Sequence, residues 1–231
     1  MPHRLETLLR PESIAVVGAS RRKGTVGNTV VRNLLAGGYG GRLYALNPGY
    51  TDIEGVACFS ELSALPEQVE QVIFAVGDER LEQALHEAVL HGAKSCVIYS
   101  SLVLAADSDP PLKQRILRKI RDAKLLVCGG NAMGYYNFRD RIWACGFDTR
   151  GHRAHGNVTL ISQSGSGMSA ILDVEERIDF NLAVSTGQEL SVTLEDYLDY
   201  VVEQSETKVI GLFLETSRDP QRFISALAKA A

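Results

Sequence analysis

The sequence predicts an α/β protein built from two doubly wound units in tandem. Three observations carry this. Short apolar runs alternate with helix-spaced amphipathic segments from Ser13 to the end of the chain. Two of those runs lead into turns of small and polar residues that open a helical pattern, in Ser13–Gly27 and again in Val158–Gly167. Between Tyr135 and Gly156 the rhythm lapses, and then it restarts.

In order, Ile14–Val17 reads as a strand and Val26–Leu35 as a helix halted by Gly37-Gly38. Leu43–Leu46 is a strand stopped by Asn47-Pro48-Gly49, and Val72–Val76 is another. Leu81–Leu90 has helical spacing with Gly92 just past its end. Cys96–Tyr99 is a strand, Pro111–Ala123 a charged amphipathic helix and Leu125–Cys128 a strand. These make a first domain over 1–134 on a parallel sheet. Residues 135–156 read as a connection, with a short hairpin around Ile142–Cys145. Over 157–231 follow strand Val158–Ile161, helix Met168–Glu176, strand Leu182–Val184, helix Leu194–Val202, strand Val209–Leu214 and helix Arg222–Ala230. Three strands are few for an independent doubly wound domain, so this reads as the first part of one. The acidic run Glu195-Asp196…Asp199 reads as a helix's solvated face.

Composition narrows the function. Of 231 residues, 45% are hydrophobic and 23% charged, an ordinary globular balance. A net charge of −4 argues against nucleic-acid binding through bulk charge. No apolar run approaches membrane-span length, and the first residues lack the apolar core of a signal peptide. Cys58, Cys96, Cys128 and Cys145 form no Cys-x-x-Cys pair, and Cys58 and Cys145 fall outside the clearest strands. The expectation is a cytoplasmic protein with no metal site. His152-x-x-His155 lacks a third ligand nearby and reads as linker.

The first turn is not a dinucleotide fingerprint. Its glycines are Gly18, Gly24 and Gly27, and the second strand ends in Asn47-Pro48 where an acid would grip a ribose. It carries three consecutive cations, Arg21, Arg22 and Lys23, and no Gly-Lys-Ser/Thr closes it. The cations favour a ligand with extra phosphate charge: coenzyme A, with NADP as a second candidate.

Five ordered stretches resemble the NDP-forming acyl-CoA synthetases, relatives of the succinyl-CoA synthetase α subunit. They are Leu9–Ser20, Ala45–Tyr50, Cys128–Gly134, Leu160–Gly165 and Thr207–Glu215. The resemblance implies a Rossmann-like CoA-binding domain followed by a partial flavodoxin-like ligase domain. It implies a ligase that joins a small carboxylic acid and CoA at the expense of ATP or GTP with Mg, through an acyl phosphate and a phosphohistidine. It sets Gly18, Ser20, Arg21, Arg22, Lys23, Arg42, Asn47, Tyr99, Ser100 and Ser101 among the cofactor-binding residues. It makes Ser162, Gln163, Ser164 and Gly165 the phosphate-binding turn, and Glu215 the acid that orients the histidine.

The chain departs from the family at Gly129-Gly130-Asn131-Ala132-Met133-Gly134, where the motif is Gly-Pro-Asn-Cys-x-Gly; the expectation is a looser turn. None of His3, His86, His91, His152 and His155 matches the phosphohistidine, and the nucleotide-grasp half has no counterpart. The expectation is therefore the front portion of a longer enzyme, inactive alone, that binds no nucleotide itself. It would work with the remaining ligase and ATP-grasp domains or subunit, with room for a homo-oligomer. The alternatives are a non-catalytic CoA-binding or regulatory module, such as one fused to an acetyltransferase, and an NADP-linked oxidoreductase. Trp143 and Tyr135-Tyr136 either pack the domain junction or line an acyl pocket.

Overall fold

The computed structural model describes residues 3–149, 155–174 and 177–230. Helix α1 (Glu6–Leu9) leads into β1 (Ser13–Val17), α2 (Val26–Gly37) and β2 (Arg42–Leu46). Then come β3 (Asp52–Ile53), β4 (Val56–Phe59), a 3-10 turn at Leu62–Ala64, β5 (Gln71–Phe74), α3 (Asp78–His91), β6 (Ser95–Ile98), α4 (Leu112–Ala123) and β7 (Leu126–Gly129). The sheet order is β3-β4-β2-β1-β5-β6-β7, parallel except for the β3–β4 hairpin. The chain turns from one side of β1 to the other between β2 and β5, so the carboxyl ends of β1 and β5 flank a topological switch point.

Side-chain alternation sets the two faces. Ile14 and Val16 of β1 pack with Val30, Val31 and Leu34 of α2, while Ala15 joins Leu81, Leu85, Ile116 and Ile120 beneath α3 and α4. Gly38 and Gly92, in left-handed conformation, end α2 and α3 where the sequence places the stops.

The stretch read as a connection is largely sheet. β8 (Gly134–Asn137) and β9 (Ile142–Cys145) form the hairpin expected at Ile142–Cys145, and β8 pairs antiparallel with β11 (Phe180–Ser185). With β10 (Val158–Ser162) and β12 (Val209–Phe213) they make a five-stranded sheet, order β12-β10-β11-β8-β9. The hairpin therefore supplies two of the strands that a three-strand unit lacked. Cys58 and Cys145, expected outside the clearest strands, lie in the short strands β4 and β9, the latter being the second strand of the expected hairpin. Helix α5 (Gly165–Val174) covers one face of the second sheet. Helix α6 (Leu194–Val202) packs the other, with α7 (Pro220–Ala230) beside it.

The two units share a core. Tyr135, Ile142, Val184, Tyr197 and Leu198 are buried in one cluster with Ile14 and Val30. The Tyr135 hydroxyl donates to Gln71 Oε1 at 3.0 Å, and Asn33 Nδ2 on α2 donates to the carbonyls of Cys145 at 3.0 Å and Phe147 at 2.7 Å. Gly37 lies so close to Trp143 that a Cβ there would stand 2.7 Å from Cγ. Trp143, Tyr135 and Tyr136 thus pack the junction. The acidic run is not a solvated face: Glu195 and Asp196 are 0% and 3% exposed, because the β12–α7 loop and Arg222 of α7 close over them.

Candidate functional site

At the first switch point, Gly18 (φ +84°) turns the chain out of β1, and Thr25 caps α2 by accepting from Asn28 N at 3.4 Å. The turn between them is internally braced. Ser20 Oγ accepts from Arg22 N at 3.0 Å, Asn28 Nδ2 donates to Ser20 O at 2.9 Å, and Asn47 Nδ2 donates to Ala19 O at 2.8 Å. Ser20 and Asn47 therefore shape the turn. Arg21 is bound to Asp52 and lies over the Tyr50 ring at 5.5 Å. Arg22 and Lys23 are exposed and have no ion-pair partner among the described residues. Beside the turn, a cleft of about 280 Å³ opens between the ends of β1, β2 and β5 and helix α3, with Gly18, Leu46, Asn47 and Arg80 in its lining.

Not every expected residue comes to this edge. Arg42 opens β2, in register with Ser13, so it lies at the amino edge, four residues back along the strand from Leu46. There it is paired with Glu67, which also accepts from the Tyr44 hydroxyl at 2.7 Å. Tyr99, Ser100 and Ser101 do follow β6 at the carboxyl edge, but their hydroxyls serve the fold. Tyr99 donates to Ala144 O of β9 at 3.1 Å, Ser100 to Val76 O at 3.0 Å and Ser101 to Asp78 Oδ2 at 2.7 Å. Burial, followed by the nearby Cys145 and Cys128, holds the Tyr99 hydroxyl's pKa far above the usual phenol range.

The second turn leaves β10. Ser162 is buried and donates to Ser164 O at 2.6 Å. Both ends of the Gln163 amide are used: Nε2 donates to Thr216 O at 2.6 Å and Glu189 Oε1 at 3.0 Å, while Oε1 accepts from Glu215 N at 2.7 Å and Thr216 N at 2.8 Å. Ser164 caps α5 by accepting from Gly167 N at 3.1 Å. Ser164 and Gly165 are half-buried at the helix start, and Met133 packs against Gly165, where a Cβ would stand 2.4 Å from its Cγ. Ser162 and Phe213 are paired in register, so Gln163–Gly165 and Glu215 leave the same carboxyl edge. The Glu215 side chain is exposed there. His155 precedes β10 and lies at the opposite edge, and His152 lies outside the described residues.

Sequence reasoning missed Glu189. It is 7% exposed with φ +56°, and its carboxylate accepts from Gln163, Thr186 Oγ1, Leu194 N and Arg218 Nε at 2.9–3.0 Å. Nothing in a lone Gln-Glu dipeptide signals this; only the convergence of three loops creates it.

The two carboxyl edges meet at Gly129–Met133. Gly130 O accepts from Gln188 N at 2.7 Å, Gly129 O from Leu190 N at 2.9 Å, and Ser100 O from Asn131 N at 2.8 Å. The turn expected to be loose is thus tied by hydrogen bonds to both units. Gly187 (φ +60°) permits the approach, since a Cβ there would stand 2.3 Å from Gly130 O.

Two families of known proteins match the chain. Residues 12–137 match the family described as CoA binding domain, and residues 155–231 match the succinyl-CoA ligase like flavodoxin domain. A trans-feruloyl-CoA synthase from an unknown prokaryotic organism is 30% identical over 236 residues, covering 98% of this chain and 33% of that protein. The ADP-forming acetate–CoA ligase of Methanocaldococcus jannaschii is 27% identical over 229 residues, 98% of this chain and 32% of its own length. The dinucleotide forming acetyl-coenzyme A synthetase 1 of Ca. Korarchaeum cryptofilum, solved with phosphate and ADP, superposes with a TM-score of 0.88 at 28% identity, covering 98% of this chain and 49% of that one. The chain spans about a third to a half of the length of these relatives.

Proposed function

Since the chain belongs to the CoA binding domain family, as an NDP-forming acyl-CoA synthetase-like protein with a succinyl-CoA-ligase-like flavodoxin domain, we propose that it is the CoA-holding and phosphate-holding part of an acid–thiol ligase. That ligase joins a small carboxylic acid to CoA while a nucleoside triphosphate is cleaved to the diphosphate. The observation that carries the reading is the pair of free cations, Arg22 and Lys23, on a glycine turn beside an open cleft at the switch point. These residues fit coenzyme A: the cations face its phosphates, the turn offers backbone N–H groups, and the cleft accommodates one end of the molecule. Bound there, CoA supplies the thiol that accepts the acyl group. Gly18, Ser20, Asn47, Ser100 and Ser101 keep the turn and its neighbours in place, and Arg21 is held back by Asp52.

The second half of the reading is the Ser164–Gly165 turn, whose helix start stabilises a phosphoryl group, with Glu215 beside it to accept a hydrogen bond from an incoming imidazole. The remaining ligase and nucleotide-grasp parts are partners of this chain in the reading, as separate domains or a subunit. We place the protein in the cytoplasm. Among the described residues no helix is long and apolar enough to cross a membrane, and all four cysteines are free thiols, in keeping with a reducing compartment.

Replacing Arg22 and Lys23 together with alanine tests the CoA site. Each charge-assisted contact to phosphate is worth about 1.5–3 kcal/mol, so calorimetry is expected to show CoA affinity at least about tenfold weaker. Unchanged affinity, or tighter binding of NADP than of CoA by the unaltered chain, would sink the reading. The 231-residue chain alone is expected to show no carboxylate-dependent formation of nucleoside diphosphate, since none of its histidines matches the phosphate carrier. A coupled diphosphate assay with acetate and CoA checks this, and turnover above background would refute it.

A further inference from the structure

Three loops leave the carboxyl edge of the second sheet: Ser162–Gly165, Ser185–Thr193 and Leu214–Asp219. Together they carry Glu189, Glu215 and Asp219, and a single Lys or Arg, Arg218. A phosphoryl group on an edge that carries these three carboxylates meets repulsion unless a cation is present. Arg222, the next cation along, is already bound to Asp196 at 2.8 Å and Asp199 at 2.7 Å.

Arg218 is placed with unusual definition for a side chain 48% exposed. Its Nε donates to Glu189 Oε2 at 3.0 Å, while the other oxygen of that buried carboxylate accepts from Gln163 Nε2 at 3.0 Å. One carboxylate therefore ties the guanidinium to the residue that precedes Ser164. Its backbone is fixed as well, because Arg218 N donates to buried Glu195 at 2.9 Å. With Nε spent on Glu189, the two terminal nitrogens of the fork are left for a ligand, and a guanidinium matches phosphoryl oxygens in a two-point geometry.

We propose that Arg218 is a phosphoryl-binding residue of the second sheet's carboxyl edge, and that Glu189 is the residue that positions it. This rests on the reading of Ser164–Gly165 as a phosphate turn. It adds to that reading the cation that lets Glu215 and a phosphoryl group share one edge.

The test is titration with inorganic phosphate, followed by calorimetry, in an Arg22→Ala/Lys23→Ala background that silences the first turn. Arg218→Ala is expected to weaken phosphate by about tenfold or more, and Arg218→Lys by less, since it keeps the charge but not the fork. Arg218→Lys should keep the melting temperature, while Arg218→Ala is expected to lower it, because it leaves the buried Glu189 carboxylate without its cation, so both variants are titrated well below their melting temperatures. Glu189→Gln should weaken phosphate in the Arg218 protein and have no further effect once Arg218 is alanine, a coupling that a purely structural role would not produce. Should Ser164→Ala weaken phosphate while Arg218→Ala does not, the turn stands and Arg218 is no ligand. Should the background protein bind no phosphate, the turn reading fails and this inference with it. Equal loss of phosphate affinity in Arg218→Lys and Arg218→Ala would also overturn it.

Discussion

Gly27→Ala is expected to destabilise the protein and weaken CoA binding, although alanine is the better helix former. Gly27 lies in the first turn of α2, where helix propensity alone favours alanine by about 1 kcal/mol. Packing opposes this. A Cβ at Gly27 would stand 2.1 Å from Gly18 O and 3.0 Å from Ala19 Cα, both backbone atoms of the turn proposed to hold CoA. Gly18 cannot yield, because it is itself wedged against Ala75 O and its N–H donates to Leu46 O at 3.1 Å. Overpacking costs about 1–3 kcal/mol and more where only backbone can move, so the steric term wins. The net loss is put at about 2 kcal/mol, or roughly 4–8 °C in melting temperature for a chain of this size. Gly40 is the control: it has open space around it and needs no left-handed backbone, so Gly40→Ala is expected to be neutral or slightly stabilising. Thermal melts and CoA calorimetry of the two variants decide the matter. A Gly27→Ala protein as stable as the parent, with intact CoA binding, would mean that the turn is not pinned in this way.

That turn was legible in the sequence because its signals are local. Gly18, Gly24, the cations and the helical spacing after Thr25 lie within one stretch of chain, and the stop signals at Gly38 and Gly92 end α2 and α3 as expected. What escaped depended on distant partners. The β3–β4 hairpin turns through Glu54-Gly55, both with positive φ, but Glu-Gly lacks the asparagine or aspartate that usually marks such a turn. Strand β8 is paired to β11 across more than forty residues, and its Tyr-Tyr-Asn run gives no alternation because both faces are buried. Arg42 illustrates the opposite error. A cation close in sequence to a matching motif lay one strand length from the site, because parallel register puts the first residue of β2 at the far edge.

The acidic run on α6 is the sharpest of these cases, and it leads to the second large effect: Glu195→Gln is expected to cost stability at neutral pH and much less in acid. Glu195 is fully buried, and its Oε1 accepts from Ser217 Oγ at 2.6 Å, Arg218 N at 2.9 Å and Asp219 N at 3.2 Å. Burial alone would raise its pKa. The bonds from Ser217 and the backbone N–H groups outweigh burial and hold it down at about 2. A carboxylate depressed in the folded state contributes stability that is complete above the ordinary glutamate range and is lost as pH falls through the folded value. The window therefore runs from about pH 4.3 down to about pH 2, and the shift corresponds to about 3 kcal/mol at pH 7. Glutamine keeps the shape and one acceptor but not the charge, so part of that is lost at neutral pH. Denaturant melts of both proteins between pH 7 and pH 3 should show the difference in stability narrowing by about half. Asp196, held below its usual range despite burial by Thr193 N, Arg222 and Arg4, is present in both proteins and cancels from the comparison. A difference that stays constant with pH would show that Glu195 acts through packing and not through its charge. The consequence reaches the site, since the three groups that Glu195 holds are Ser217, Arg218 and Asp219: loosening them should weaken phosphate binding at the second edge while CoA binding at the first is kept.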